Sequence, residues 1–183
     1  MKAIIKHKSF LIFALLQTMV MQVFGVTEKV SFINNYWDKT TGTLVEKTEE
    51  REVEIISGYY APSVLRSNKG EEKWYALKDD GAGHAQITAY KIEILGTIHL
   101  ILMDGVELYS NRGIILDKNN TLHIYSQSTG TKQGKLTIEA EGGNPGIGSR
   151  NGKSGDLYVH GGYLDIEGGQ SGGAAIGTGC CSD

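Results

Sequence analysis

The sequence predicts an all-β protein whose main part is a parallel β-helix of about three coils, preceded by a small β-rich segment. The first supporting observation is that one three-part unit is written twice between residues 120 and 179. The two copies align at three aliphatic positions: Leu122 with Leu157, Leu136 with Leu164, and Ile147 with Ile176. Self-similarity at a fixed period is typical of solenoid proteins.

The second observation is that each part of the unit is short and alternates between aliphatic and other residues. Leu122-His-Ile124 in the first copy corresponds to Leu157-Tyr-Val159 in the second. Alternation with a period of two places the aliphatic side chains on one face of a strand. We therefore expect strands whose aliphatic side chains stack inside the molecule from coil to coil.

The third observation is the distribution of glycine. Sixteen of the 25 glycines fall between Gly130 and Gly179, where they bracket the short strands. Glycine adopts backbone angles that sharp corners require. An earlier coil with less glycine is visible at Thr97–Asp117, as TIHLILMDG, VELYS and GIILD. Together these segments indicate three strands per coil and about three coils.

Residues 1–25 have the pattern of a secretory signal peptide. Lys2, Lys6 and Lys8 precede the apolar run Phe10–Val23, and small residues near Gly25 suit cleavage there. We expect a secreted or cell-surface protein with no membrane insertion after cleavage; an uncleaved membrane anchor is the alternative. The remaining chain has 15 basic and 21 acidic residues, hence a net charge of −6, which disfavours a nucleic-acid partner.

The rest of the chain divides into residues 26–70, a β-rich segment, and residues 71–183, the repeat region. In the first, Val30–Trp37 and Thr43–Ile56 can pair as a hairpin. The second stops directly after the third part of a unit, so we expect a C-terminally truncated fragment of a longer repeat protein. The adjacent Cys180 and Cys181 indicate neither a disulfide with one another nor a zinc site.

The segment from about Trp74 to Gly179 resembles a family of secreted surface proteins of gut and oral bacteria. The resemblance is carried by LILMDG, LHIYSQ, GIGS and AAIGTG, which match the family's LILxDG, LTIYGQ and AGIGxG elements. It implies a glycine-rich, adhesin-like β-helical protein, of a kind sometimes labelled carbohydrate-binding. It brings no catalytic residues.

Aligning LHIY with LYVH predicts one candidate ligand-binding patch. If the aliphatic residues point inward, His123 and Tyr158 stack outside on neighbouring coils about 4.8 Å apart, and Tyr125 lies beside His160. Aromatic rings with polar edges suit the apolar faces of sugars, so the predicted ligand is a polysaccharide or other glycan. The alternative is that these residues simply suit an exposed β-surface. A histidine metal site lacks a third ligand at suitable spacing.

Acidic residues suggest a second outward column of Glu107, Thr137 and Asp165. Threonine interrupts it, and no aspartate pair with a nearby base accompanies it. The sequence therefore assigns no catalytic residue, metal ligand or cofactor. It favours a non-catalytic binding module, with a structural stalk of a larger surface protein or a remnant of a polysaccharide-degrading enzyme as alternatives.

Overall fold

The computed structural model describes residues 26–82 and 85–179, so the predictions for residues 1–25 and for Cys180 and Cys181 lie outside the described part. Fifteen strands form in these ranges: β1 (Thr27–Asp38), β2 (Thr43–Ser57), β3 (Val64–Arg66), β4 (Glu72–Lys78), β5 (Gln86–Ala89), β6 (Ile92–Leu95), β7 (Thr97–Leu102), β8 (Glu107–Ser110), β9 (Ile114–Ile115), β10 (Thr121–Ser126), β11 (Lys135–Glu139), β12 (Ile147–Ser149), β13 (Asp156–Val159), β14 (Tyr163–Glu167) and β15 (Ile176–Thr178). The described ranges contain no helix that could span a membrane.

The strands stack into a parallel β-helix, which confirms the predicted fold class. The first sheet contains β4, β7, β10 and β13, the second β5, β8, β11 and β14, and the third β3, β6, β9, β12 and β15. Each turn of the helix visits the three sheets in order. The described residues make about five turns, not about three.

The two additional turns come first in the chain. The end of β2, the bridging residue Tyr60 and β3 form turn 1, and β4, β5 and β6 form turn 2. Inward residues of turn 2, such as Leu77 and Ile87, continue the columns of the later turns and are fully buried. These turns have far fewer glycines than turns 4 and 5, in which the repeated unit was recognised.

The interior is a set of aliphatic columns in register. The predicted pairs Leu122–Leu157, Leu136–Leu164 and Ile147–Ile176 are neighbours on adjacent strands, as expected from the aligned copies. Residues of the middle turns are fully buried, whereas the corresponding residues of turn 5 are partly or largely exposed. The difference arises because β13, β14 and β15 pair with a neighbour on one side only among the described residues.

The predicted N-terminal hairpin forms from β1 and β2, which pair antiparallel along the whole of β1 and along β2 as far as Glu54. It bends across the outer face of the first sheet: the end of β2 pairs with β4, while Ile33 of β1 reaches Ser126 at the end of β10. Its apolar side chains pack on three outward residues of that sheet, Ala76, Ile101 and Tyr125. The first sheet is therefore packed on both faces.

Candidate functional site

A column of four aromatic rings runs along the outside of the first sheet. Trp74, His99, His123 and Tyr158 occupy matching positions on β4, β7, β10 and β13. Successive ring centroids are 3.9, 4.4 and 4.7 Å apart, with interplanar angles of 9°, 7° and 10°. We call these four residues the aromatic ladder.

A second stacked pair lies beside the ladder. The Tyr125 and His160 rings are 4.4 Å apart and inclined by 5°. The predicted stacking of His123 on Tyr158 and of Tyr125 on His160 is therefore confirmed. It follows from the inward direction of Leu122 and Ile124, because alternate residues of a strand point to opposite faces.

The hairpin covers most of this surface. Phe32 of β1 contacts Tyr125 edge-on, with ring centroids 4.9 Å apart, and lies 5.2 Å from Trp74. Tyr125 is only 4% exposed and His99 only 5%, whereas Tyr158 in turn 5 is 49% exposed. Of the four residues predicted to bind a ligand, Tyr158 thus presents the largest open area, and Tyr125 is buried.

Hydrogen bonds define the tautomers of His123 and His160. The carbonyl oxygen of Asn35 can only accept, so the Nδ1 of His160, 3.0 Å away, carries a proton. In the neutral ring, His160 Nε2 is then an acceptor for the Nδ1–H of His123 at 3.1 Å. The two histidines form a proton-donating chain that ends on the hairpin.

His99 lies deeper in the same surface. Its Nδ1 is 3.0 Å from the Tyr125 hydroxyl, and its Nε2 is 3.2 Å from a Glu72 carboxylate oxygen without hydrogen-bond geometry. A neutral ring with its proton on Nε2 fits these contacts, because its Nδ1 lone pair then accepts from the tyrosine hydroxyl and its Nε2–H lies near the carboxylate without bonding it.

Burial shifts the ionisation of this cluster towards neutral forms. Desolvation, reinforced by the charges of His123, His160 and Arg51, lowers the pKa of His99 from 6.5 to about 3. Desolvation and the neighbouring His160 also lower the pKa of His123. Burial, together with the carboxylates of Glu49 and Glu72, raises the pKa of Tyr125. His99, His123 and Tyr125 are therefore uncharged at neutral pH.

The predicted acidic column is wrong in one position. Leu108 and Leu136 set the register of β8 and β11, so Glu107 stands beside Lys135, and Tyr109 stands beside Thr137. Asp165 is the next neighbour of Thr137, as predicted. The Thr137 hydroxyl donates a hydrogen bond diagonally to Glu107, which lowers the pKa of that carboxyl group.

In the described ranges, no group of three or more His, Cys, Asp or Glu residues could hold a metal ion.

Besides the three residues of the predicted column, the outer face of the second sheet carries residues that the sequence analysis missed. Tyr60, Thr88, Tyr109, Thr137 and Asp165 form one row across turns 1 to 5. A parallel row on turns 2 to 5 contains four residues: Gln86, Glu107, Lys135 and Tyr163. We call these two rows the tyrosine face.

The tyrosines of this face are open or partly open. Tyr60 is 65% exposed and Tyr163 is 51% exposed, and Tyr109 is half-buried with its hydroxyl donating to Glu139 at 2.9 Å. The outward direction of Tyr109 could have been predicted from the sequence, because it lies between the inward residues Leu108 and Ser110. The sequence analysis also missed two residues of the aromatic ladder on the first sheet, Trp74 and His99. His99 could have been found from the alternation Ile98-His99-Leu100.

No protein-family model, curated protein or solved structure matches this chain significantly. The resemblance to bacterial β-helical surface proteins therefore stays a prediction.

Proposed function

We propose that this chain is a secreted or cell-surface β-helix module that acts as a non-catalytic binding surface for carbohydrate. The observation that carries the proposal is that aromatic side chains stand open on the outside of a helix whose interior is filled with aliphatic columns. Tyr60, Tyr90, Tyr158 and Tyr163 are each about half exposed or more. Tyrosine combines a large apolar ring with a polar edge, which suits the faces and hydroxyl groups of sugars.

The ionisation of the outward groups supports a non-catalytic role. A general acid at neutral pH needs a raised pKa, but the hydrogen bond from Thr137 lowers that of Glu107. Glu107 is also occupied by Lys135 at 3.1 Å and by Gln86 at 2.9 Å. The most perturbed histidine, His99, is buried, with its ring stacked between those of Trp74 and His123.

A glycan-array screen of the purified chain tests this proposal. We expect at least one neutral glycan to bind, and titration of that glycan against His123→Ala/Tyr158→Ala decides whether the end of the aromatic ladder takes part. Loss of binding in a variant with an unchanged far-UV spectrum would assign the ladder. Absence of binding to every glycan by well-folded protein would contradict the function itself.

A structural stalk is the second candidate, and the regular stacking favours it. The turns are in register on all three sheets, so the module resembles a short stiff rod. On this hypothesis the exposed tyrosines carry no ligand, and the glycan screen stays negative.

A further inference from the structure

The tyrosines of the second sheet recur at every second turn of the helix. Tyr60 lies in turn 1, Tyr109 in turn 3 and Tyr163 in turn 5. Because neighbouring strands are about 4.8 Å apart, successive tyrosines are separated by roughly 9.6 Å along the axis. Tyr60 and Tyr109 share one row, and Tyr163 stands in the parallel row, displaced sideways by two residues of its strand, or about 7 Å. Polar side chains fill the intervening turns: Gln86 and Thr88 in turn 2, Lys135 and Thr137 in turn 4.

We propose that the tyrosine face binds an extended, uncharged polysaccharide that runs along the helix axis, with sugar rings on Tyr60, Tyr109 and Tyr163. This inference rests on the carbohydrate-binding function proposed above and names its site. In an extended β-linked chain every second ring presents the same face, so a tyrosine at every second turn meets equivalent rings. Gln86 and Lys135 in the turns between them supply hydrogen bonds to the alternate sugars.

The contacts within the face keep its side chains in place. Lys135 bonds Glu107 and its ammonium group lies 5.6 Å from the centre of the Tyr163 ring. Tyr109 is held through its hydroxyl by Glu139. A site that is ordered before binding loses less conformational entropy when the ligand arrives.

The charge of the face selects the class of polysaccharide. Outward strand positions of the second sheet carry four carboxylates, Glu107, Glu139, Asp165 and Glu167, against one ammonium group, Lys135. An anionic polysaccharide would be repelled by this excess of negative charge. Hydroxyl groups of a neutral sugar, by contrast, can donate hydrogen bonds to carboxylates.

The first experiment measures binding of the full chain to hydroxyethylcellulose, a soluble neutral β-linked glucan, with polygalacturonate as the anionic comparison. We expect binding to hydroxyethylcellulose alone. Tyr60→Ala/Tyr163→Ala should weaken it about tenfold or more, because two ring contacts are lost. The ring-preserving variant Tyr60→Phe/Tyr163→Phe should bind nearly as well as the parent chain. Lys118→Ala, at an exposed position of a turn outside the tyrosine face, should leave binding unchanged.

The outcomes separate the site from the function. Preference for polygalacturonate would overturn the charge argument. Binding that survives Tyr60→Ala/Tyr163→Ala but disappears in His123→Ala/Tyr158→Ala would overturn this site while the carbohydrate-binding function stands. Failure of the folded chain to bind hydroxyethylcellulose would also reject the site proposed here. If the glycan array is negative as well, the carbohydrate-binding function is rejected too. Far-UV spectra of all variants verify that each is folded.

A second measurement tests the spacing. Neutral β-linked gluco-oligosaccharides of increasing length should gain affinity until they span the roughly 19 Å, or four strand spacings, from turn 1 to turn 5. Affinity that stops rising with an oligosaccharide too short to reach from one tyrosine to the next would rule out the axial arrangement.

Discussion

Asn35 of β1 and His160, which follows β13, exchange two hydrogen bonds. The Asn35 side-chain amide donates to the His160 carbonyl oxygen at 2.8 Å, and the His160 imidazole donates to the Asn35 carbonyl oxygen at 3.0 Å. The two residues are 125 positions apart in the chain. The pair therefore fastens the N-terminal hairpin to turn 5 of the helix.

Replacing Asn35 with alanine should lower the free energy of unfolding by about 1–2 kcal/mol, because the partly buried His160 carbonyl loses its donor. Chemical denaturation followed by circular dichroism measures the change. Lys118→Ala, at an exposed position of a turn, serves as the control and should change the free energy by less than about 0.5 kcal/mol. Equal effects of the two substitutions would show that the hydrogen bonds between Asn35 and His160 do not stabilise the fold.

Acid should destabilise the fold through His99. Its pKa is about 3 in the folded chain against the ordinary value of 6.5, so at intermediate pH the unfolded chain binds a proton that the folded chain does not. The resulting stabilisation is complete above pH 6.5 and is lost as the pH falls from 6.5 towards 3. One such group contributes at most about 1.4 kcal/mol per pH unit within that window. The lowered pKa of His123 acts in the same direction.

The substitution His99→Phe tests this pH dependence. It keeps a ring between Trp74 and His123 but removes the titrating group, so the plot of unfolding free energy against pH should become flatter in that window. Tyr158→Phe changes another ring of the ladder and should keep the parent slope. Parallel curves for the parent chain and His99→Phe would argue against a role for this histidine.

Two leucines of one inward column should respond differently to truncation. Leu136 is fully buried in turn 4, and its neighbour Leu164 in turn 5 is only partly buried. We expect Leu136→Ala to cost about 2–5 kcal/mol, because it removes packing and leaves a cavity between two turns. Leu164→Ala should cost clearly less, since its side chain has neighbours on one side. Denaturation midpoints of the two variants provide the comparison, and a larger loss for Leu164→Ala would contradict the description of turn 5.

Glycine in the third sheet should be more sensitive than glycine in an open turn. Gly148 has φ 149°, and a Cβ there would collide with the carbonyl oxygen of Gly177 on the next strand. Gly142 has φ 63° with open space around it. Gly142→Ala should cost about 1–2 kcal/mol from backbone strain alone. Gly148→Ala should cost more, because the strands β12 and β15 must also separate; thermal unfolding of both variants measures the difference.

Much of the β-helix could be read from local patterns. The alternation around Leu122 and Leu157 fixed the inward face of each strand, and the same alternation placed His123 against Tyr158. The acidic column was wrong because Glu107 was matched to Thr137 without the register set by Leu108 and Leu136. Turns 1 and 2 were not counted among the three predicted coils because they have fewer glycines than turns 4 and 5. Turn 2 nevertheless lies within the predicted repeat region, and its Leu77 and Ile87 occupy the same inward columns.

The sequence by itself determined the repeating strand, its inward aliphatic columns and the stacking of rings on adjacent turns, because these depend on residues at fixed short spacing. Only the tertiary structure decided which outer face stays open. Phe32 lies on Tyr125, more than ninety positions away, and no local pattern specifies that contact. A hairpin with one apolar face can be buried against any flat apolar surface, so its position depends on the whole assembled helix. That packing buried Tyr125 of the patch predicted from the sequence, left Tyr158 open at turn 5, and left the tyrosine face uncovered.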